Sequence, residues 1–311
     1  MPLRLANGDV LRLSDCHRSR RILCWLLDKW PDPFPVTVGN GFVRFNFEGQ
    51  MFSLRPNYGD FLVFHEMMYW DTYGIDSLPA PVGTVVDLGA NIGMFSLCAA
   101  SVAERVVAVE PVGSNLAMAE RILAEGGVRD KVSLHRAAVC GASGGTIRVF
   151  ASPCFPAGNS IFQQHTSHWG QSHHEDVPTL SIADLFAREQ IERCSLLKCD
   201  IEGAEFDAFE AVPLSLLHRI DRIVMEVHPS VEARGLHRFG LLRRRLRSAG
   251  FRVEHTKTRR WWGGRRRAVT LSAVNRLAET RPENVVISFR VKRPAPEMAT
   301  ASIGQAGRNA G

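Results

Sequence analysis

Residues 85–100 read VVDLGANIGMFSLCAA. The apolar run closes on Asp87, glycines stand at 89 and 93, and a second apolar stretch follows, so the segment predicts a strand, a tight turn and a helix. The missing β-carbons of Gly89 and Gly93 permit both the turn and the close approach of a ligand. A phosphate-cradling loop would continue into lysine and a hydroxyl residue, whereas this turn runs on into MFSL. Phosphate is therefore not the expected occupant.

From Thr84 onward, apolar strand candidates TVVDL, RVVAVE, VSLHRAAV, LLKCD and RIVMEV alternate with helical stretches over 91–102, 114–125 and 205–217. That rhythm predicts an α/β fold with a doubly wound, mostly parallel sheet, and places the site at the C-terminal ends of the strands. Glu110 stands twenty-three positions after Asp87, at the end of the next strand, where an acid can accept hydrogen bonds from both ribose hydroxyls of a nucleoside. NAD enzymes and methyltransferases share that constraint. A dinucleotide turn needs GxGxxG to bring a helix N-terminus to pyrophosphate, but here Asn91 replaces the middle glycine. S-adenosylmethionine, which carries no phosphate, suits the turn better.

A second motif, LLKCDIEGAEFDAFEA, delivers Asp200 at the end of an apolar strand and follows it with Glu202, Gly203 and Glu205. A helix from about Glu205 turns Phe206, Phe209 and Val212 inward. The next strand, RIVMEVHP, carries Glu226 and His228, which share a face at a period of two.

Taken in order, VVDLGANIGMFS, VVAVEP, LLKCDIEGAEFDAFEA and IVMEVHP resemble the FkbM family of S-adenosylmethionine-dependent methyltransferases, whose fold is of the class I type. The resemblance covers about residues 83–250. It implies methyl transfer to an oxygen of a sugar, glycan, polyketide or related small molecule. Asp87, Gly89, Asn91, Gly93 and Glu110 match the family's cofactor region, and Lys198, Asp200, Glu202, Gly203 and Glu205 match its acidic turn.

For the proton transfer, His228 is the expected base, with Glu226 or Asp200 orienting it, because a neutral imidazole can take a proton late in methyl transfer. Asp200, Glu202, Glu226 and His228 are also oxygen and nitrogen ligands of the kind magnesium accepts. Carboxylates satisfied by backbone donors are commoner, and no metal is assigned from the sequence.

At 311 residues and 45% hydrophobic composition the chain can bury a sizeable core. Residues 1–80 read as a cap of short strands in NGFVRFNFEGQMFSLRP and a helix in FLVFHEMMYWDTYG, with Phe61, Phe64, Met68 and Trp70 toward a core. The methyltransferase-like domain runs over 81–293, with AVTLSAV and NVVISFRV as closing strands, and a small polar tail occupies 294–311. Between the third and fourth strands, a long segment containing GTIRVFA and the histidines of HTSHWGQSHH reads as an active-site insertion with a solvated loop. Seven scattered cysteines form neither a disulfide framework nor a zinc motif. With no signal-peptide core or membrane-spanning run, the expected location is the cytoplasm.

The net charge of +6 and the thirteen basic residues between Arg234 and Arg267 raise a second reading, a nucleic-acid methyltransferase that holds phosphates with Arg243–Arg267 and stacks bases on Trp261 and Trp262. A solvated helix in LLRRRLRS, with Leu241, Leu242 and Leu246 inward and arginines outside, followed by a basic hairpin, explains the same residues without nucleic acid. A third reading is a non-catalytic binder that keeps the fold. Exposed charge does not set the oligomeric state.

Overall fold

The structure, a computed structural model, describes residues 3–4, 10–11, 37–68, 71–152, 155–166, 173–229, 234–255 and 269–275. Trp70, His168, Trp261, Trp262, the NVVISFRV segment and the tail lie outside the described residues.

Strands β1 (Leu3–Arg4) and β2 (Val10–Leu11) form an antiparallel pair. An antiparallel meander follows, made of β3 (Thr37–Gly39), β4 (Phe42–Phe47) and β5 (Gln50–Leu54). Its two turns fall at Asn40–Gly41 and Glu48–Gly49, where all four residues have positive φ, the backbone that two-residue hairpins require. Alternation along β4 buries Val43, Phe45 and Phe47 on one face. Helix α1 (Tyr58–Met68) starts at Asn57, whose side-chain oxygen accepts the Asp60 amide at 2.9 Å. The helix lays Phe64 edge-on against Phe45, Phe47 and Phe52, with centroids 5.1, 5.4 and 5.0 Å away. These rings share one core with Val85, Met94 and Phe95 of the following segment, so the cap is packed into the main body.

The main body contains β6 (Val82–Leu88), α2 (Met94–Val102), β7 (Ala103–Val109), α3 (Gly113–Glu125), β8 (Val132–His135) and β9 (Ala138–Val139). Next come β10 (Thr146–Ala151), α4 (Gln163–Thr166), β11 (His173–Leu180), α5 (Ile182–Arg188) and β12 (Cys194–Cys199). The last described elements are α6 (Glu205–Glu210), α7 (Leu214–Leu217), β13 (Arg222–Val227), α8 (Gly235–Ser248), β14 (Phe251–His255) and β15 (Val269–Asn275). Seven strands make the central sheet in the order β14-β15-β13-β12-β6-β7-β8, with β15 antiparallel to both neighbours and the pairs from β13 to β8 parallel. Both faces are covered. Val85, Val106 and Ala108 enter the core shared with the cap, while Val86, Val107 and Val109 enter the core formed with α5, α6 and α8.

From β6 the chain winds outward one way through β7 and β8, and later the other way from β12 through β13. The order reverses between β6 and β12, and an open α/β sheet binds its ligands outside the strand ends at such a switch point. The glycine turn after β6 and the acidic turn after β12 are therefore neighbours.

Several local expectations are corrected. The VSLHRAAV segment is two strands, because β9 leaves the central sheet and joins β10 and β11 in a small sheet of order β10-β11-β9. The helical stretch over 205–217 breaks into α6 and α7 at Pro213, which has no amide to continue a helix. Helix α2 starts only at Met94, since Asn91 and Gly93 are left-handed. His173 and His174 open β11 rather than lying in a loop. Leu242 and Leu246 are buried, but Leu241 is 40% exposed.

Candidate active site

The glycine turn is pinned from both sides. Gly89 and Ala90 donate their amides to Val109 O at 3.0 and 2.9 Å, which ties the turn to the end of β7. Gly89 has φ +79°, and a β-carbon there would lie 1.8 Å from the backbone oxygen of Asp200, so the two turns are in direct contact. Asn91 is left-handed at φ 53° and donates its amide to Glu110 Oε2 at 2.9 Å. The other Glu110 oxygen accepts the Val112 amide at 3.0 Å. Two backbone donors leave lone pairs on that carboxylate for further donors. Burial pushes Glu110 up to about 7, against the pull of those hydrogen bonds.

Asp87 lies beneath the turn and is fully buried. Ser96 donates to its Oδ2 at 2.6 Å, and Lys198 Nζ stands 3.1 Å from its Oδ1. The same ammonium donates to Gly89 O at 2.6 Å. Burial opposes the charge on Lys198, but Asp87 and Asp200 outweigh it and hold the ammonium above its usual range. Asp87 thus bears on the site through Lys198 and the turn. A lysine inside the apolar run LLKC is a readable sign of a buried ion pair, although its partner is not readable.

Asp200 leaves the end of β12, with its amide donated to Leu88 O at 2.9 Å. Tyr73, from the segment between cap and sheet, donates its hydroxyl to Asp200 Oδ2 at 2.9 Å and stacks edge-on against Phe95. Asp200 Oδ1 is buried and has no hydrogen-bond partner among the described residues. Burial raises Asp200, with Lys198 pulling the other way, and burial raises the Tyr73 phenol well above its normal value so that it stays a donor. Tyr73 is absent from the sequence expectation because nothing local marks it.

Beyond Asp200 the chain turns through Glu202, left-handed at φ 52°, into α6. His228, just past β13, brings these acids together. Its Nδ1 lies 2.9 Å from Glu205 Oε1 and its Nε2 lies 3.2 Å from Glu202 Oε2, with Glu226 Oε1 at 3.8 Å. Burial disfavours a charged ring, yet Glu202 and Glu205 outweigh it and raise His228 well above its usual value. The sequence expects a neutral imidazole base; in the structure both ring nitrogens face carboxylates, an arrangement that favours the protonated ring. Burial also pushes Glu226 up to about 8, with Asp200 adding to the rise.

The basic stretch is partly absorbed in packing. Arg238 of α8 pairs with Asp207 and Glu210 of α6, and Arg245 donates to Val212 O. The described histidines of the insertion take no part in the cluster.

The profile of the methyltransferase FkbM domain matches residues 87–253, more than half of the chain. The chain belongs to the FkbM methyltransferase family. It is accordingly an S-adenosylmethionine-dependent methyltransferase, and the matched span takes in both turns and the Glu226–His228 strand end while leaving out Tyr73 and β15. Methyltransferase sdnD of Sordaria araneosa is 25% identical over 206 residues, covering 55% of this FkbM chain and 78% of that protein. Methyltransferase FkbM from Methylobacillus flagellatus KT is similar at 18% identity and a TM-score of 0.40, over 62% of this chain and 44% of that one. The O-methyltransferase TomG of Streptomyces achromogenes, solved in complex with SAM, shows 13% identity and a TM-score of 0.39 over 66% of this chain and 77% of that one. No helix among the described residues is long and apolar enough to cross a membrane.

Proposed function

We propose that this FkbM methyltransferase methylates a hydroxyl oxygen of a small molecule, a sugar, glycan or polyketide-type product, and that S-adenosylmethionine lies against Gly89, Asn91, Gly93 and Glu110. The observation that carries the reading is the contact of the two turns, which sets Asp200 and Ile201 beside the glycine turn at the switch point. The donor set fits: a buried carboxylate held by backbone amides retains acceptor capacity for ribose hydroxyls, and no lysine is present in the turn for a phosphate. S-adenosylmethionine supplies a methyl already activated by the sulfonium charge, whose electron pair stays on sulfur as the new C–O bond forms.

The protein's task is to place the acceptor oxygen and take its proton. Glu226 is best suited to take it, because its side chain is 27% exposed, against 18% for Glu202 and 0% for Glu205. Asp200 Oδ1, which has no hydrogen-bond partner among the described residues, orients the hydroxyl, and Tyr73 fixes the carboxylate by holding its other oxygen. His228 faces Glu202 and Glu205 and positions both carboxylates. Glu226→Gln keeps the shape and removes the base. Turnover should fall about 10²- to 10⁴-fold while calorimetric affinity for S-adenosylmethionine stays within about twofold. Full turnover in that variant would remove Glu226 from the role.

Glu110 gives a second test. Its carboxyl is half protonated near pH 7, and donor hydroxyls favour the ionised form, so binding releases a proton. Affinity for S-adenosylmethionine should therefore climb by up to about tenfold per pH unit below 7 and level off above it. The slope should vanish in Glu110→Gln, and a flat wild-type profile would place the ribose elsewhere.

A further inference from the structure

One ligand atom from each of Asp200, Glu202 and His228 lies within 4.8 Å of the others. Around an octahedral cation with bonds near 2.1 Å, ligand atoms stand about 3 Å apart when adjacent and about 4.2 Å apart when opposite. The 3.2 Å between His228 Nε2 and Glu202 Oε2 has the length of an adjacent edge. Two further observations point to a ligand. Asp200 Oδ1 is buried without a hydrogen-bond donor among the described residues, which is costly for a carboxylate oxygen unless something positive meets it. The far nitrogen of His228 is held by Glu205, a fully buried carboxylate itself fixed by the Gly203 amide at 2.9 Å, and metal-ligating imidazoles are oriented in this way.

The charges agree. Three carboxylates, Glu202, Glu205 and Glu226, face one imidazole with an Asp200 oxygen within 4.8 Å, while the nearby Lys198 is committed to Asp87 and the Gly89 carbonyl. We propose that Asp200, Glu202 and His228 bind one divalent cation, with Glu226 at its rim, and that the cation grips the acceptor through two neighbouring oxygens. The ion meets His228 at Nε2, while Nδ1 stays on Glu205. Two carboxylates and one imidazole favour manganese or magnesium over the softer metals that thiolates select. The acceptor class that follows is a vicinal diol or a hydroxyl beside a carbonyl. This last step rests on the methyl-transfer reading, whereas the cation site stands without it.

The test uses chelator-treated full-length protein titrated with Mn²⁺, with the free ion followed by electron paramagnetic resonance. The expected result is one ion taken up per chain, displaced by excess Mg²⁺, with affinity at least about tenfold weaker in Glu202→Gln and in Asp200→Asn. Glu205→Gln, which keeps the three ligands and loosens the imidazole, should weaken it about 10- to 100-fold. Should a variant fail to fold, the unmodified protein still decides, because bound Mn²⁺ must broaden the His228 ring signals in a proton magnetic resonance spectrum. No saturable uptake, uptake unchanged by the substitutions, or a sharp His228 signal in the presence of Mn²⁺ would each overturn the site. Calorimetry with S-adenosylmethionine on the same metal-free sample separates the two ideas. Donor binding without Mn²⁺ uptake defeats the cation site and leaves the methyl-transfer reading intact, while Mn²⁺ uptake without donor binding does the reverse.

Discussion

Gly89→Ala should cost this protein about 3–5 kcal/mol of stability and abolish binding of the methyl donor. A β-carbon at that position would meet the Asp200 carbonyl oxygen at 1.8 Å and its carbon at 2.8 Å, far inside any contact that real atoms make. Relaxation is blocked in both directions. Gly89 is held to Val109, Asp200 is held to Leu88, and Lys198 reaches across to the Gly89 carbonyl, so parting the turns breaks the hydrogen bonds that join β6 to its neighbours. The left-handed backbone adds a further penalty of about 1–2 kcal/mol for any residue with a side chain. Gly127 is the matched control, left-handed at φ +67° with nothing within 4 Å of its would-be β-carbon. Urea unfolding of both variants separates the terms: Gly127→Ala should lose only the backbone penalty, and equal losses would show that the contact with Asp200 is unimportant.

Lys198→Met should be comparably damaging, by about 3–5 kcal/mol, because it strands a carboxylate in the interior. Asp87 and Lys198 are 0% and 4% exposed, so water cannot take over from the missing ammonium. The asymmetry of buried pairs makes the converse prediction sharper. Removing both charges in Asp87→Asn/Lys198→Met should restore part of the loss, whereas two independent contributions would simply add. Because Lys198 also holds the Gly89 carbonyl, the double variant should regain stability without regaining full affinity for S-adenosylmethionine. Chemical denaturation and calorimetry on the three variants give both readings, and a double variant less stable than Lys198→Met would contradict the pairing.

The strands that build the sheet are legible because a parallel sheet covered on both faces needs unbroken apolar runs, and TVVDL, RVVAVE and RIVMEV have them. The glycine turn is legible for a similar reason, since few residues tolerate its backbone. What is hidden depends on distance along the chain. Tyr73 meets Asp200 across 127 positions, and Lys198 meets Gly89 across 109. Neither meeting is visible until β12 is known to lie beside β6. The state of His228 is hidden for the same reason, because a histidine after a strand reads as a neutral base until carboxylates from two other stretches, Glu202 and Glu205, are placed around it. Strand β14 escapes notice because FRVEH is embedded in a basic stretch whose arginines dominate the pattern.

The antiparallel strand β15 sits between β13 and β14, both of which precede it in the chain. During synthesis, its two neighbours emerge first and face each other across a slot one strand wide, each with a row of backbone donors and acceptors unmet. The ribosome must deliver residue 275 before that slot is filled, which makes closure of this half of the sheet a late, long-range event.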